Sequence, residues 1–163
     1  MRQYIRIWII SMLLGTVFLN ACKRNPCKGV SCENAGFCHD GTCICPAGFE
    51  GIDCSIYSSK KFIGTYQATE YCTSDTFSYV CDLTQDPDST TYILFSNFAN
   101  SSQSLRATAR KNQLIISKQS INSLNIEGSG TIDTVTHIID LTYTVYSSTH
   151  QLIDSCGAIM THQ

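Results

Sequence analysis

Residues 27–54 read CKGVSCENAGFCHDGTCICPAGFEGIDC and hold six of the chain's ten cysteines, at the spacing C-x4-C-x5-C-x4-C-x-C-x8-C. A segment this short has too little interior to offset its own chain entropy, so covalent cross-links must hold it. Three disulfides are expected, and six cysteines leave fifteen pairings open. Zinc prefers four ligands in paired C-x2-C or C-x2-C…H-x3-H arrangements; neither spacing occurs, and His39 is the one histidine inside the cluster. Asp40-Gly41 is a two-residue hairpin signal, because both central positions of a type I′ turn need positive φ.

The run Cys32-Glu-Asn-Ala-Gly36-Phe-Cys38, followed by Cys43-Ile-Cys45-Pro-Ala-Gly48-Phe49-Glu-Gly51-Ile-Asp-Cys54, closely resembles an EGF-like module. Cysteine spacing, glycines and the aromatic match together. The resemblance implies bonds from first to third, second to fourth and fifth to sixth cysteine: Cys27 with Cys38, Cys32 with Cys43, Cys45 with Cys54. Loops of about a dozen residues are each worth roughly 3 kcal/mol in the chain-entropy model. Phe49 is expected to pack on the last of these bridges. Calcium-binding members of the family carry an acidic or amide pattern before the first cysteine and a longer gap, with a hydroxylatable Asp or Asn, between the third and fourth. Here Arg24-Asn25-Pro26 precedes Cys27 and only His-Asp-Gly-Thr separates Cys38 from Cys43, so no bound calcium is expected and Asp40 reads as a turn residue.

The N-terminus indicates the compartment. Arg2 and Arg6 precede an apolar run over 7–19, which is shorter than the roughly 20 residues of a membrane-spanning helix and reads as an export signal. Leu19-Asn20-Ala21-Cys22 resembles a bacterial lipobox, which implies cleavage before Cys22 and its acylation, palmitate included; the alternatives are an uncleaved anchor or an ordinary secretory signal. Three acyl chains would make attachment lasting, because one chain binds reversibly and two or more do not. Lys23 stands where the family's inner-membrane retention aspartate would be, which implies the outer membrane and leaves the leaflet open. The chain carries a formal charge of −2, and its export signal holds two arginines and no acids. The remainder is therefore the more acidic part, which disfavours nucleic acid as a partner.

The organisation expected is a signal peptide over 1–21, a lipidated linker over 22–26, the EGF-like module over 27–54, a connector over 55–61 and a β domain over 62–163. The connector begins with the polar run SIYSS. Beyond it, period-two alternation recurs, as half-buried antiparallel strands require. Phe77, Tyr79, Cys81 and Leu83 form one inner face; Leu105, Ala107 and Ala109 a second; Leu124, Ile126, Gly128, Gly130 and Ile132 a third; Ile139, Leu141, Tyr143 and Val145 a fourth. Further strands over 63–71, 91–97, 113–118 and 153–161 bring the count to about eight, joined by turn-rich pieces such as Asp86-Pro-Asp-Ser. Short connections favour sequential hairpins. The fold class is mainly β, a disulfide-rich module followed by an antiparallel β-meander or small up-and-down barrel. Phe62-Ile-Gly64-Thr-Tyr66 resembles the start of a lipocalin-like barrel. The stretch from KFIGTYQATEYC through IEGSGTID to LTYTVY resembles the C-terminal domains of uncharacterised Bacteroidota lipoproteins, which implies no activity.

Cys72, Cys81 and Cys156 remain. If 73–76 turn the first hairpin, Cys72 faces Phe77 and Cys81 lies four residues along the ladder. That is ~13 Å, beyond the ~7 Å reach of a disulfide. A closed meander makes its first and last strands neighbours, so Cys72 to Cys156 would staple the seam. Cys81 is then a free, buried thiol on the apolar face; a reactive thiol is the alternative.

Catalytic constellations are absent: there is no G-x-S-x-G, no H-E-x-x-H and no phosphate-cradling glycine loop. His137, His150 and His162 are expected in turns or at the terminus, and Asp86 and Asp88 as turn residues bonding their own backbone. Phe37 lacks an evident internal partner, and Tyr57 is expected to pack at the junction of the two domains. The reading is a non-enzymatic, lipid-anchored envelope protein without cofactor, binding another envelope or extracellular protein; the alternative is a lipocalin-like carrier of a small apolar ligand.

Overall fold

The computed structural model describes residues 25–163. The expected signal peptide, the expected acylation site Cys22 and the first half of the expected linker lie outside the described residues. In the disulfide-rich module Asp40 (φ 48°) and Gly41 (φ 84°) make the tight turn between β1 (Phe37–His39) and β2 (Thr42–Ile44), which sets Cys38 opposite Cys43. Two short strands, β3 (Phe49–Glu50) and β4 (Ile56–Tyr57), follow and pair with Phe49 opposite Tyr57. Bridges join Cys27 to Cys38, Cys32 to Cys43 and Cys45 to Cys54, with Cα separations of 5.8, 5.7 and 5.3 Å. The buried apolar side chains of residues 27–54 are Cys43 and Cys54. Sulfur is thus the module's interior.

Eight strands follow: β5 (Gly64–Cys72), β6 (Thr76–Gln85), β7 (Tyr92–Phe98), β8 (Gln103–Arg110), β9 (Gln113–Ile121), β10 (Leu124–Ile132), β11 (Ile138–Tyr146) and β12 (Leu152–His162). Each pairs antiparallel with the next, and β12 pairs with β5 to close a barrel. The alternation puts Tyr79, Cys81 and Leu83 of β6, Leu105, Ala107 and Ala109 of β8, and Ile139, Leu141 and Tyr143 of β11 inside. Ser78, Asp82, Thr84, Asp140 and Thr142 face outward. A transmembrane barrel has the reverse pattern, a continuous apolar band outside; here the exposed Tyr71, Val80, Ile115, Leu152, Ile153 and Ile159 are interspersed with polar residues.

A small barrel is commonly filled by its own side chains, and the interior here holds Tyr66, Phe95, Phe98, Leu114, Leu141 and Met160, all fully buried. Gly128 makes one of these fits possible. It stands opposite Tyr143, and a β-carbon there would lie 2.5 Å from the Tyr143 Cβ.

The β5–β6 register differs from the expected one by two residues. The Cys72 amide donates to the Asp75 carbonyl (2.9 Å), so only Thr73 and Ser74 turn the hairpin, and Tyr66 rather than a residue nearer Cys72 stands opposite Cys81. A shift of two keeps every side chain on its face, which is why the inner set is unchanged.

The segment 55–61, expected as a polar connector, is structural. Its first part supplies β4, and a 3-10 turn over Ser58–Phe62 seals the barrel end with Ser58, Ser59 and Phe62 buried. The hydroxyls find partners, as buried polar groups must: Ser59 donates to Gln85 Oε1 (2.6 Å), and Ser58 Oγ accepts from the Lys111 amide (3.2 Å). Gly48 (φ 89°) of the disulfide-rich module lies so close to Thr91 that a β-carbon would meet its Cγ2 at 2.3 Å. Lys61 pairs with Glu50 at 2.7 Å and donates to Asn112 Oδ1 at 2.9 Å. The module is therefore docked on the barrel end by steric fit and a half-shielded ion pair.

Candidate functional site

Strand alternation carries Glu70 into the barrel, two residues before Cys72. The carboxyl is fully buried, and it accepts hydrogen bonds from the Tyr79 hydroxyl (2.7 Å) and from the Tyr143 hydroxyl. Burial, then the hydrogen bond to Glu70, push both phenols far above their ordinary range. The network links β5, β6 and β11 across the interior. Directly beside it, Cys72 and Cys156 are bonded, with a Cα separation of 4.0 Å. The Thr73 amide donates to the Ser155 carbonyl, so the neighbouring cysteine pair occupies a non-hydrogen-bonded position of the ladder, where two strands come closest. The sulfurs and the Glu70 carboxylate lie within 4.8 Å of one another. Sulfurs bonded to each other offer no thiolate, which leaves a metal only a carboxylate already held by two hydroxyls.

Above the seam, Asp154 accepts from the Thr73 amide (2.9 Å) and from the hydroxyls of Thr73 and Ser74. These bonds, Ser74 first and Thr73 next, hold its carboxyl down at about 2. At the opposite end of β5, Tyr66 meets His162 edge-on at 5.1 Å between ring centroids, and its buried hydroxyl has no partner among the described residues. His162, expected as a solvated terminal residue, is exposed but sits in β12 against Tyr66; His137 and His150 are exposed outside the strands.

Cys81 is unbonded and buried, opposite Tyr66. Burial, with Asp82 and Glu70 nearby, pushes its thiol up to about 12. Because the thiolate is the nucleophile, the group is inert near neutral pH. Asp86 does bond its own turn, accepting from the Asp88 amide at 2.8 Å. It is also buried, with Arg106 Nε 2.7 Å from its Oδ2 but off the hydrogen-bonding line, so the contact is an ion pair. Arg106 in turn covers the Tyr92 ring at 5.1 Å. Sequence alternation could have flagged Glu70 and Arg106 as a charge facing in and a cation facing out. Their partners are distant in sequence and carry no local signal.

Tyr57 packs on Phe49, ring centroids 5.3 Å apart, and Lys60 Nζ lies over the Tyr57 ring, 5.6 Å from its centroid. Phe37 is 60% exposed and stands directly opposite Ile44, which is 45% exposed. Ile44 and Phe49 border a cleft of about 280 Å³ whose barrel wall is Arg110 and Lys111. A neighbouring cleft of about 720 Å³ lies between Ile56 and the same two cations. Among the described residues neither Arg110 nor Lys111 has an acidic partner within salt-bridge distance.

No family model and no curated protein matches the chain. Among solved structures it is similar to a protein of unknown function from the DUF3598 family of Nostoc punctiforme, at 8% identity and a TM-score of 0.43. The match covers 64% of this chain and 49% of that one, so this chain spans about half the length of that structure.

Proposed function

We propose that the protein is a non-enzymatic, lipid-anchored component of the cell envelope, held in the outer membrane by acyl chains on Cys22, and that its surface binds another envelope or extracellular protein. The observation that carries this reading is the division between a committed interior and an unpaired exterior. Inside, Glu70 is held by two tyrosines, Cys81 is silenced by burial and Asp86 is matched by Arg106. No inward group is left free for chemistry among these. Outside, Val80, Ile115, Leu152, Ile153 and Ile159 leave apolar side chains exposed on the barrel wall. Four disulfides fit an oxidising compartment. A carrier of an apolar ligand needs interior space, and Phe95, Phe98 and Leu141 occupy it.

Proximity labelling from the anchored protein in intact cells tests the reading, with a Cys22→Ala chain as control. Envelope proteins labelled by the wild-type chain and lost in the control support it. Labelling that finds no protein neighbour, with lipid alone recovered, overturns it.

A further inference from the structure

We propose that the face carrying Phe37, Ile44, Arg110 and Lys111 lies directly against an anionic phospholipid bilayer, so that the protein is docked on the membrane as well as tethered to it. The inference deepens the lipid-anchor reading and rests on it. Phe37 and Ile44 are opposed on one hairpin, so their side chains share a face, and both are largely exposed. Ile44 borders the same cleft as Arg110 and Lys111, which makes the apolar pair and the two cations one continuous surface. The acid in that cleft, Glu50, is already matched by Lys61, which leaves the surface positive.

The length of chain outside the described residues brings this face to the bilayer. Pro26 packs against the hairpin turn, its carbonyl oxygen 3.2 Å from where a Gly41 β-carbon would be. Three residues lie between Cys22 and Pro26, and the four Cα steps span at most ~14 Å. The Phe37–Ile44 pair is three residues along the hairpin from Gly41, ~10 Å. Allowing up to ~7 Å between the Cα atoms of Pro26 and Gly41, an acylated Cys22 therefore cannot hold this pair more than ~31 Å from its own position, and a short tether keeps it near the headgroups. There, exposed apolar side chains enter the boundary between headgroups and acyl chains, and cations are drawn to the negative surface.

Position 8 holds the chain's single tryptophan, inside the expected signal peptide, so a processed chain has none. Phe37→Trp then reports on one site, and Leu152→Trp, at the far end of the barrel and 60% exposed, is the control. The full chain is expressed with its leader, its intact mass determined, and the protein placed on phosphatidylethanolamine–phosphatidylglycerol vesicles containing brominated acyl chains. The expected result is quenching at position 37 several-fold above that at position 152, lost in Arg110→Glu/Lys111→Glu although the protein stays on the vesicles. Equal quenching at 37 and 152, or a position 37 that is blue-shifted but unquenched after native membranes are fused with the brominated vesicles, overturns the proposal, the second result pointing to a protein partner. Intact mass separates the two ideas. A chain without acyl groups refutes the anchor, and the same quenching comparison after mixing with vesicles still decides the face.

Discussion

Removing the seam bridge is the sharpest perturbation of the barrel. Cys72 and Cys156 are 84 residues apart in sequence, and closing a loop of that size removes about 4.6 kcal/mol of denatured-state entropy in the chain-entropy model. In the Cys72→Ala/Cys156→Ala chain the folded barrel keeps its β5–β12 ladder from Tyr71–Gly157 to Tyr66–His162, and Asp154 still ties the β5–β6 turn to β12. The loss therefore falls on the unfolded state, and about 4 kcal/mol should disappear from a total that for domains of this size is about 5–15 kcal/mol. Urea unfolding followed by far-ultraviolet circular dichroism reads it. With a slope of about 2 kcal/mol per molar, the midpoint should fall by about 2 M, and the slope should rise because the unbridged chain is more expanded. A loss below about 1 kcal/mol with an unchanged slope would refute the argument that the bridge acts by restraining the open chain.

Three further outcomes follow from named contacts. Tyr66→Phe removes a buried hydroxyl without a partner and should be neutral or stabilise by about 1 kcal/mol, whereas Tyr143→Phe strips a donor from buried Glu70 and should cost about 1–3 kcal/mol; both are read from urea midpoints. Gly48→Ala places a β-carbon on Thr91 and forces an alanine to positive φ, at about 1–2 kcal/mol for the backbone alone, so proteolysis across residues 55–63 should accelerate; an unchanged cleavage rate contradicts the docking described above. The Asp154 carboxyl is held below its unfolded value of about 3.9, so its contribution is complete above pH ~4 and is lost as pH falls through about 2. Melting temperatures of wild type and Asp154→Asn should thus differ near neutral pH and converge between pH ~4 and ~2, and a gap that stays constant across that range would be evidence against the Asp154 bonds.

The barrel was legible because its two determinants are local. Alternation on β6, β8, β10 and β11 names the inner face, and short turns dictate sequential pairing. Closure is a global property, but it has a local mark: Cys72 near the end of the first strand and Cys156 on the last make sense together once those strands are neighbours. The turn between β1 and β2 was legible for the same reason, Asp40-Gly41 being the chemistry that a two-residue hairpin needs. What escaped the sequence are polar residues whose roles depend on distant partners. Ser58 and Ser59 look like linker composition until Gln85, Thr90 and the Lys111 amide are brought to them. Glu70 is an inner-face charge whose two donors lie 9 and 73 residues away. The β5–β6 register slipped by two because the sequence does not say which of Thr73 to Thr76 turn.

Thiol counting by intact mass on protein extracted from membranes bears most directly on the account as a whole. Of ten cysteines, eight are bridged in the structure, Cys81 is free and Cys22 is assigned to the acyl anchor. Alkylation of the denatured, unreduced chain should therefore add one group, at Cys81, and alkylation after reduction should add nine, on a chain that begins at Cys22 and carries acyl mass. Two groups before reduction and ten after, on a chain still bearing its first 21 residues, would contradict it.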